Sequence, residues 1–143
     1  MPGRPSYREI EHTADVGMEL EASDLKDAFE LAAASMFDLM CDLDTIGGSV
    51  SRTVRAASRE GDLEGLMVRW LTELLYVLEV EGLLLSGFNV RTLAGDLIEA
   101  DVTGEPLDLE RHSLKSELKA VTYHDLAVEQ AGGSWLVRVI FDT

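Results

Sequence analysis

The stretch from Leu63 to Leu78 narrows the folding options of this 143-residue chain more than any other. Leu63, Leu66, Met67, Trp70, Leu71, Leu74, Leu75 and Leu78 recur at steps of three and four, so a helix gathers them on one side. That face is wide and has no polar break, which predicts a core helix. Asp62 stands where an N-cap belongs, and Gly82 marks the end. A second helix is predicted after Ser23 or Asp24, with Asp27 in its first turn, where the helix dipole favours an anion. Leu25, Ala28, Phe29, Ala32, Met36, Leu39 and Met40 form its apolar face, and Gly47-Gly48 lies beyond its end, past the acids Asp38, Asp42 and Asp44.

The rest of the chain reads as strands. Tyr7 to His12 and Val16 to Glu21 are short extended segments with His12 to Asp15 as the turn between them. Val50 to Ala57 alternates and is rich in β-branched residues. Leu85 to Leu93 and Leu97 to Val102 join at Ala94-Gly95-Asp96, and Gly104-Glu105-Pro106 is expected to break the pattern before a connector, Asp108 to His112. Leu118 to Thr122 is read as a further strand. Leu126 to Gln130 and Trp135 to Phe141 flank Ala131-Gly132-Gly133-Ser134, a hairpin signal. The expectation is one α+β domain over residues 1–143, a mainly antiparallel sheet of about six to seven strands with two amphipathic helices.

Composition limits the function classes. With 46% hydrophobic and 27% charged residues the chain is a folded globule and not a disordered one. The formal net charge is −15. The three lysines, Lys26, Lys115 and Lys119, form no cluster that tracks a phosphate backbone, so direct nucleic-acid binding is not expected. Such a surface suits solubility, a basic protein partner or cation capture. No apolar run is long enough for a membrane helix, and the first six residues lack the apolar core of a signal peptide. The single cysteine, Cys41, reads as a small hydrophobe and suits a reducing cytoplasm.

Two acidic positions carry the candidate chemistry. Asp15 lies in the segment His12-Thr13-Ala14-Asp15-Val16-Gly17, where an aspartate serves either as a turn-stabilising hydrogen-bond acceptor or as a ligand. Gly17 then permits a backbone conformation or close packing. Asp142 follows an apolar strand and precedes Thr143, so two carboxylates, one of them terminal, stand together. Oxygen donors of that kind suit a hard cation, Ca²⁺, Mg²⁺ or Mn²⁺, whereas one cysteine and the scattered His12, His112 and His124 give no zinc motif. Lys119, in Leu118-Lys119-Ala120-Val121-Thr122-Tyr123-His124, is either a phosphate-binding point charge or a strand lysine that discourages edge pairing. No nucleophile elbow, P-loop or dinucleotide fingerprint is present.

These segments together resemble the archease family. The resemblance rests on His12-Thr-Ala-Asp-Val-Gly17, on Leu71-Thr-Glu-Leu-Leu-Tyr76, on Glu117-Leu-Lys-Ala-Val-Thr-Tyr-His124, and on a last strand closing in an aspartate and one more residue. It covers essentially the whole chain, with the motifs in the right order. It implies a cytoplasmic partner protein and not an autonomous enzyme: an activator of the GTP-dependent tRNA-splicing RNA ligase of the RtcB type, promoting guanylylation and multiple turnover. It also implies a divalent metal ion held by Asp15, Asp142 and Thr143, with His12, Thr13, Gly17, Thr122 and His124 in support. Lys119 matches a lysine of functional importance, as a nucleotide or ligase contact. One departure is Thr143, where relatives commonly end in a β-branched aliphatic residue. Two alternatives stand beside this reading. One is a chaperone-like modulator of a tRNA cytosine methyltransferase, and the other a stand-alone metal-dependent phosphoesterase.

Overall fold

The computed structural model describes residues 5–12 and 15–143, and among them it places two α-helices and eight strands in two antiparallel sheets. Strands β1 (Arg8–His12), β2 (Asp15–Ala22), β6 (Ala120–Val121), β7 (Ala127–Ala131) and β8 (Ser134–Asp142) form the first sheet. Its order is β1-β2-β8-β6, and β7 pairs with β8 as well. Strands β3 (Val50–Ala57), β4 (Leu83–Leu93) and β5 (Leu97–Pro106) form the second sheet in the order β3-β5-β4. Both helices, α1 (Leu25–Met40) and α2 (Leu63–Glu81), contact both sheets.

Local chemistry accounts for these elements. Asp24 caps α1 by accepting the Asp27 amide at 2.7 Å, and Asp62 caps α2 by accepting the Gly65 amide at 2.9 Å, so each fills a donor the helix leaves open. Gly82 ends α2 with φ 69°, a left-handed position that glycine adopts without a Cβ penalty. The wide apolar face of α2 is covered as expected: Leu66, Met67, Trp70, Leu71 and Leu74 are fully buried. Trp70 Nε1 donates to the Phe29 carbonyl at 2.9 Å, so the largest core side chain also joins α2 to α1.

Three sequence expectations need correction. Gly104-Glu105-Pro106 does not break the pattern; β5 runs through it to Pro106. Gly104 is needed because a Cβ there would strike the Leu84 backbone of β4, so the residue that looked like a breaker permits close strand approach. Leu118 to Thr122 is not a strand of that length, since only Ala120 and Val121 pair with β8. Nor are His12 and Asp15 turn residues: they end β1 and open β2 as register partners. Asp38 is buried, accepting the Tyr7 hydroxyl at 2.9 Å and the Leu43 amide at 3.0 Å, which anchors the segment before β1 and the 3₁₀ turn Leu43–Thr45. Cys41 is buried just past α1, consistent with its reading as a small hydrophobe.

Candidate functional site

The site is built by strand register. β2 and β8 pair antiparallel with Asp15 opposite Asp142, Gly17 opposite Ile140 and Glu19 opposite Arg138. Side chains alternate across a strand, so Val16, Met18 and Leu20 with Val137, Val139 and Phe141 face the core, and Asp15 and Asp142 share the other face. On the far side of β2, His12 is the register partner of Asp15; on the far side of β8, Ala120 is the partner of Asp142. One cross-strand row at the end of the sheet therefore reads His12, Asp15, Asp142, Ala120. Thr143 follows directly, and Thr13 lies outside the described residues.

Directly opposed residues of an antiparallel pair carry Cβ atoms roughly 4.5–5.5 Å apart. Two carboxylates so placed fit the oxygen spacing of one ion, whose ligands lie at roughly 2.0–2.6 Å. Among the described residues, neither carboxylate accepts a hydrogen bond or pairs with a cation. Two positions along the face from Asp15, Glu19 is by contrast fully engaged. Arg8 and Arg138 each reach it at 2.8 Å, and those charged hydrogen bonds, that of Arg8 foremost, lower its pKa. Among the described residues no group of three or more His, Cys, Asp and Glu side chains is gathered closely enough to hold an ion.

The remaining predicted residues fall into two groups. Some sit beside the row. Gly17 is buried, and a Cβ on it would lie 2.5 Å from Ile140 Cδ1, 3.0 Å from the Val139 carbonyl and 3.3 Å from Ile10 Cβ, so its role is close packing of three strands beside the acids, on the same face. Lys119 donates its amide to the Asp142 carbonyl at 2.9 Å, which fixes the backbone of both residues, and its side chain is exposed. Thr122 donates both its amide, at 3.0 Å, and its hydroxyl, at 2.9 Å, to the Ile140 carbonyl, pinning the end of β6 to β8. His124 stands further out. It lies past β6 with a largely exposed ring whose Nε2 is 3.4 Å from Asp125, and its amide donates to the Thr122 hydroxyl at 3.3 Å.

One polar cluster escaped the sequence reading. Glu105, on β5, pairs with Arg111, accepts the Gly47 amide at 2.7 Å and lies 2.9 Å from Nε2 of the buried His112. The Asp108 amide donates to His112 Nδ1 at 3.0 Å, which places the ring proton on Nε2, facing Glu105. The hydrogen bond from Arg111, followed by that from Gly47, lowers the Glu105 pKa from 4.5 to about 2. No spacing motif announces this cluster, because its parts meet only when Gly47 and the 108–112 turn close over the end of β5.

The fold and the acidic row define a small α+β protein with a paired-carboxylate sheet end, and comparison with known proteins places it in a family. Residues 7–143 match the archease protein family. The chain is 37% identical over 139 residues to the protein archease of Methanopyrus kandleri, covering 95% of this chain and 98% of that one. It is 38% identical over 140 residues to the protein archease of Thermococcus gammatolerans, covering 95% and 97%. A Methanobacterium thermoautotrophicum protein solved in solution superimposes with a TM-score of 0.81 at 31% identity, over 96% of this chain and 98% of that one. A Thermotoga maritima crystal structure, described as an archease and possible chaperone, shares the fold with a TM-score of 0.63 at 19% identity, over 95% and 96%. The chain belongs to the archease family. Among the described residues no helix is long and apolar enough to cross a membrane.

Proposed function

We propose that this protein is a non-catalytic activator of a GTP-dependent tRNA-splicing RNA ligase, promoting its guanylylation and multiple turnover through a bound divalent ion. The observation that carries the reading is the opposition of Asp15 and Asp142 on one face, at the exposed end of the sheet. Family membership supplies the partner class. Asp15, Asp142 and a main-chain oxygen of Thr143 would hold the ion, Ca²⁺, Mg²⁺ or Mn²⁺. When bound, such an ion offsets negative charge at a nucleotide phosphate.

The chain's own residues do the rest. Gly17 lets Ile140 and Ile10 close in beside the acids, and the Lys119 and Thr122 amides hold β6 against β8, so the row is preorganised by backbone pairing. Lys119, whose backbone amide is bonded to the Asp142 carbonyl, serves as a contact to the nucleotide or the ligase through its exposed side chain. The cytoplasm is the compartment this reading requires.

The test is guanylylation of the purified ligase with GTP, in the presence and absence of this protein. Asp15→Ala and Asp142→Ala are each expected to reduce stimulation by at least about tenfold, in line with losses seen when groups around a metal are removed. Parental stimulation by both variants would sink the metal-presentation mechanism. A second reading has a specific observation behind it: the Thermotoga maritima archease is described as a possible chaperone. A chaperone-like modulator of a tRNA cytosine methyltransferase would use the acidic surface and not the row, so its binding would weaken steeply with salt and survive Asp142→Ala.

A further inference from the structure

The described residues carry five large apolar side chains in exposed positions: Tyr76, Val80, Leu109, Leu114 and Tyr123. All five fall either on α2 or in the stretch from 107 to 123, although the chain has many other exposed positions. Between these two stretches lies a trench. Three adjoining hollows of about 430, 400 and 210 Å³ line up along α2. The first and second share Leu78, Glu117 and Leu118, and the second and third share Leu75, Glu79 and Lys119. The third reaches Ala120, the register partner of Asp142, so the trench ends at the acidic row. Of the five, Tyr76 and Leu114 line the trench, and exposed apolar side chains gathered on a groove mark a protein-binding site more often than scattered single residues do.

The charges around the trench specify the occupant. Glu79 and Glu117 line it, and among the described residues neither has an ion-pair partner. Lys115, also at the trench, is already neutralised by Asp42 at 3.0 Å, which leaves the carboxylates of Glu79 and Glu117 against the single ammonium of Lys119. A second copy of this chain would bring another net charge of −15 against the same acids, which argues against self-association. We infer that the trench between α2 and residues 114–121 docks a segment of a protein partner that combines apolar side chains with arginines or lysines. The apolar groups enter over Leu75, Leu78 and Leu118, and the cations meet Glu79 and Glu117. Docking there delivers the partner to the Asp15–Asp142 end of the sheet. Only the identity of the partner rests on the ligase reading.

Two measurements separate the two ideas. The first uses the ¹⁵N-labelled full chain and a synthetic amphipathic leucine–arginine peptide, read by amide NMR shifts. Shifts confined to residues 72–80 and 114–121 are expected, and loss of that pattern in the exposed-site double variant Tyr76→Ala, Leu114→Ser. Absent shifts, or shifts spread over the whole acidic surface, would overturn the docking site. The second titrates the purified ligase. Tyr76→Ala with Glu79→Lys is expected to weaken binding about tenfold or more, as loss of an aromatic anchor does, with stimulation recovering at saturating concentration. Parental affinity in that variant also overturns the trench. A ligase that ignores the parent, while the peptide still maps to the trench, removes the ligase reading and leaves the docking site standing.

Discussion

Two acidic clusters in this molecule obey opposite rules. Around Glu105, the carboxylate oxygens are filled from inside the protein, by Arg111, the Gly47 amide and the His112 ring. At the end of the five-stranded sheet, Asp15 and Asp142 are set opposite each other with no cation between them among the described residues. Like charges directly opposed across strands are unfavourable, so that arrangement is a cost to the fold unless something positive arrives. A carboxylate saturated by its own chain is structural. The pair left open at the sheet end is where the proposed ion would sit.

The comparison breaks most visibly at Glu105. Glu105→Ala leaves the buried His112 N–H and the Gly47 amide without an acceptor, and is expected to lower unfolding stability by about 2–3 kcal/mol. Urea denaturation checks it, and a loss under about 0.5 kcal/mol, the range of an ordinary surface substitution, would remove Glu105 from the structural class. Gly17→Ala comes next. Its Cβ would sit 2.5 Å from Ile140 Cδ1, and overpacking of this kind costs about 1–3 kcal/mol; calorimetry measures it, and an unchanged melting temperature would deny Gly17 its packing role.

The pH dependence sharpens the same contrast. The folded state holds the Glu105 pKa at about 2, below its ordinary 4.5. Its contribution to stability is therefore complete above 4.5 and disappears as pH falls from there toward about 2. Glu105→Gln is expected to start less stable and to lose less over that interval, in urea titrations run from about pH 6 downward. An equal decline in both proteins would deny Glu105 this role. The smallest effect belongs to Asp142→Asn. In chelator it is expected to raise stability, by no more than about 1 kcal/mol, because it relieves the opposed charges. In millimolar divalent ion the order should reverse, since only the parent gains from binding. Identical behaviour with and without the ion would place Asp15 and Asp142 among ordinary surface acids.

Local patterns made much of the fold legible. The caps at Asp24 and Asp62, the left-handed Gly82, the alternation of Val50–Ala57 and the Gly132-Gly133 turn, with φ of 58° and 87°, are determined by a few neighbouring residues. Gly104-Glu105-Pro106 was misread because the reason for its glycine is the Leu84 backbone on another strand, some twenty residues earlier in the chain. The length of β6 is not legible in Leu118–Thr122, because an extended, apolar stretch looks the same whether it pairs with a strand or lies against a helix. His112 looked isolated, since its partners reach it across a turn and a β-strand end. The opposition of Asp15 to Asp142 is the strongest case. Neither residue signals the other by spacing or by type, and only the family resemblance joined them before the register did. His12 and Asp15, read as a turn, are strand residues paired with each other.

The position of β8 has a consequence for how the protein matures. This strand is made after every other strand of its sheet, yet it lies between β2 on one side and β6 and β7 on the other. Hairpins β1–β2 and β7–β8 close locally, whereas the second edge of β2 must wait for β8 from the far end of the sequence, a slow kind of contact to form. The acidic row exists only once that contact is made. A half-folded chain therefore keeps its two aspartates apart, and the row becomes a certificate that this sheet is complete.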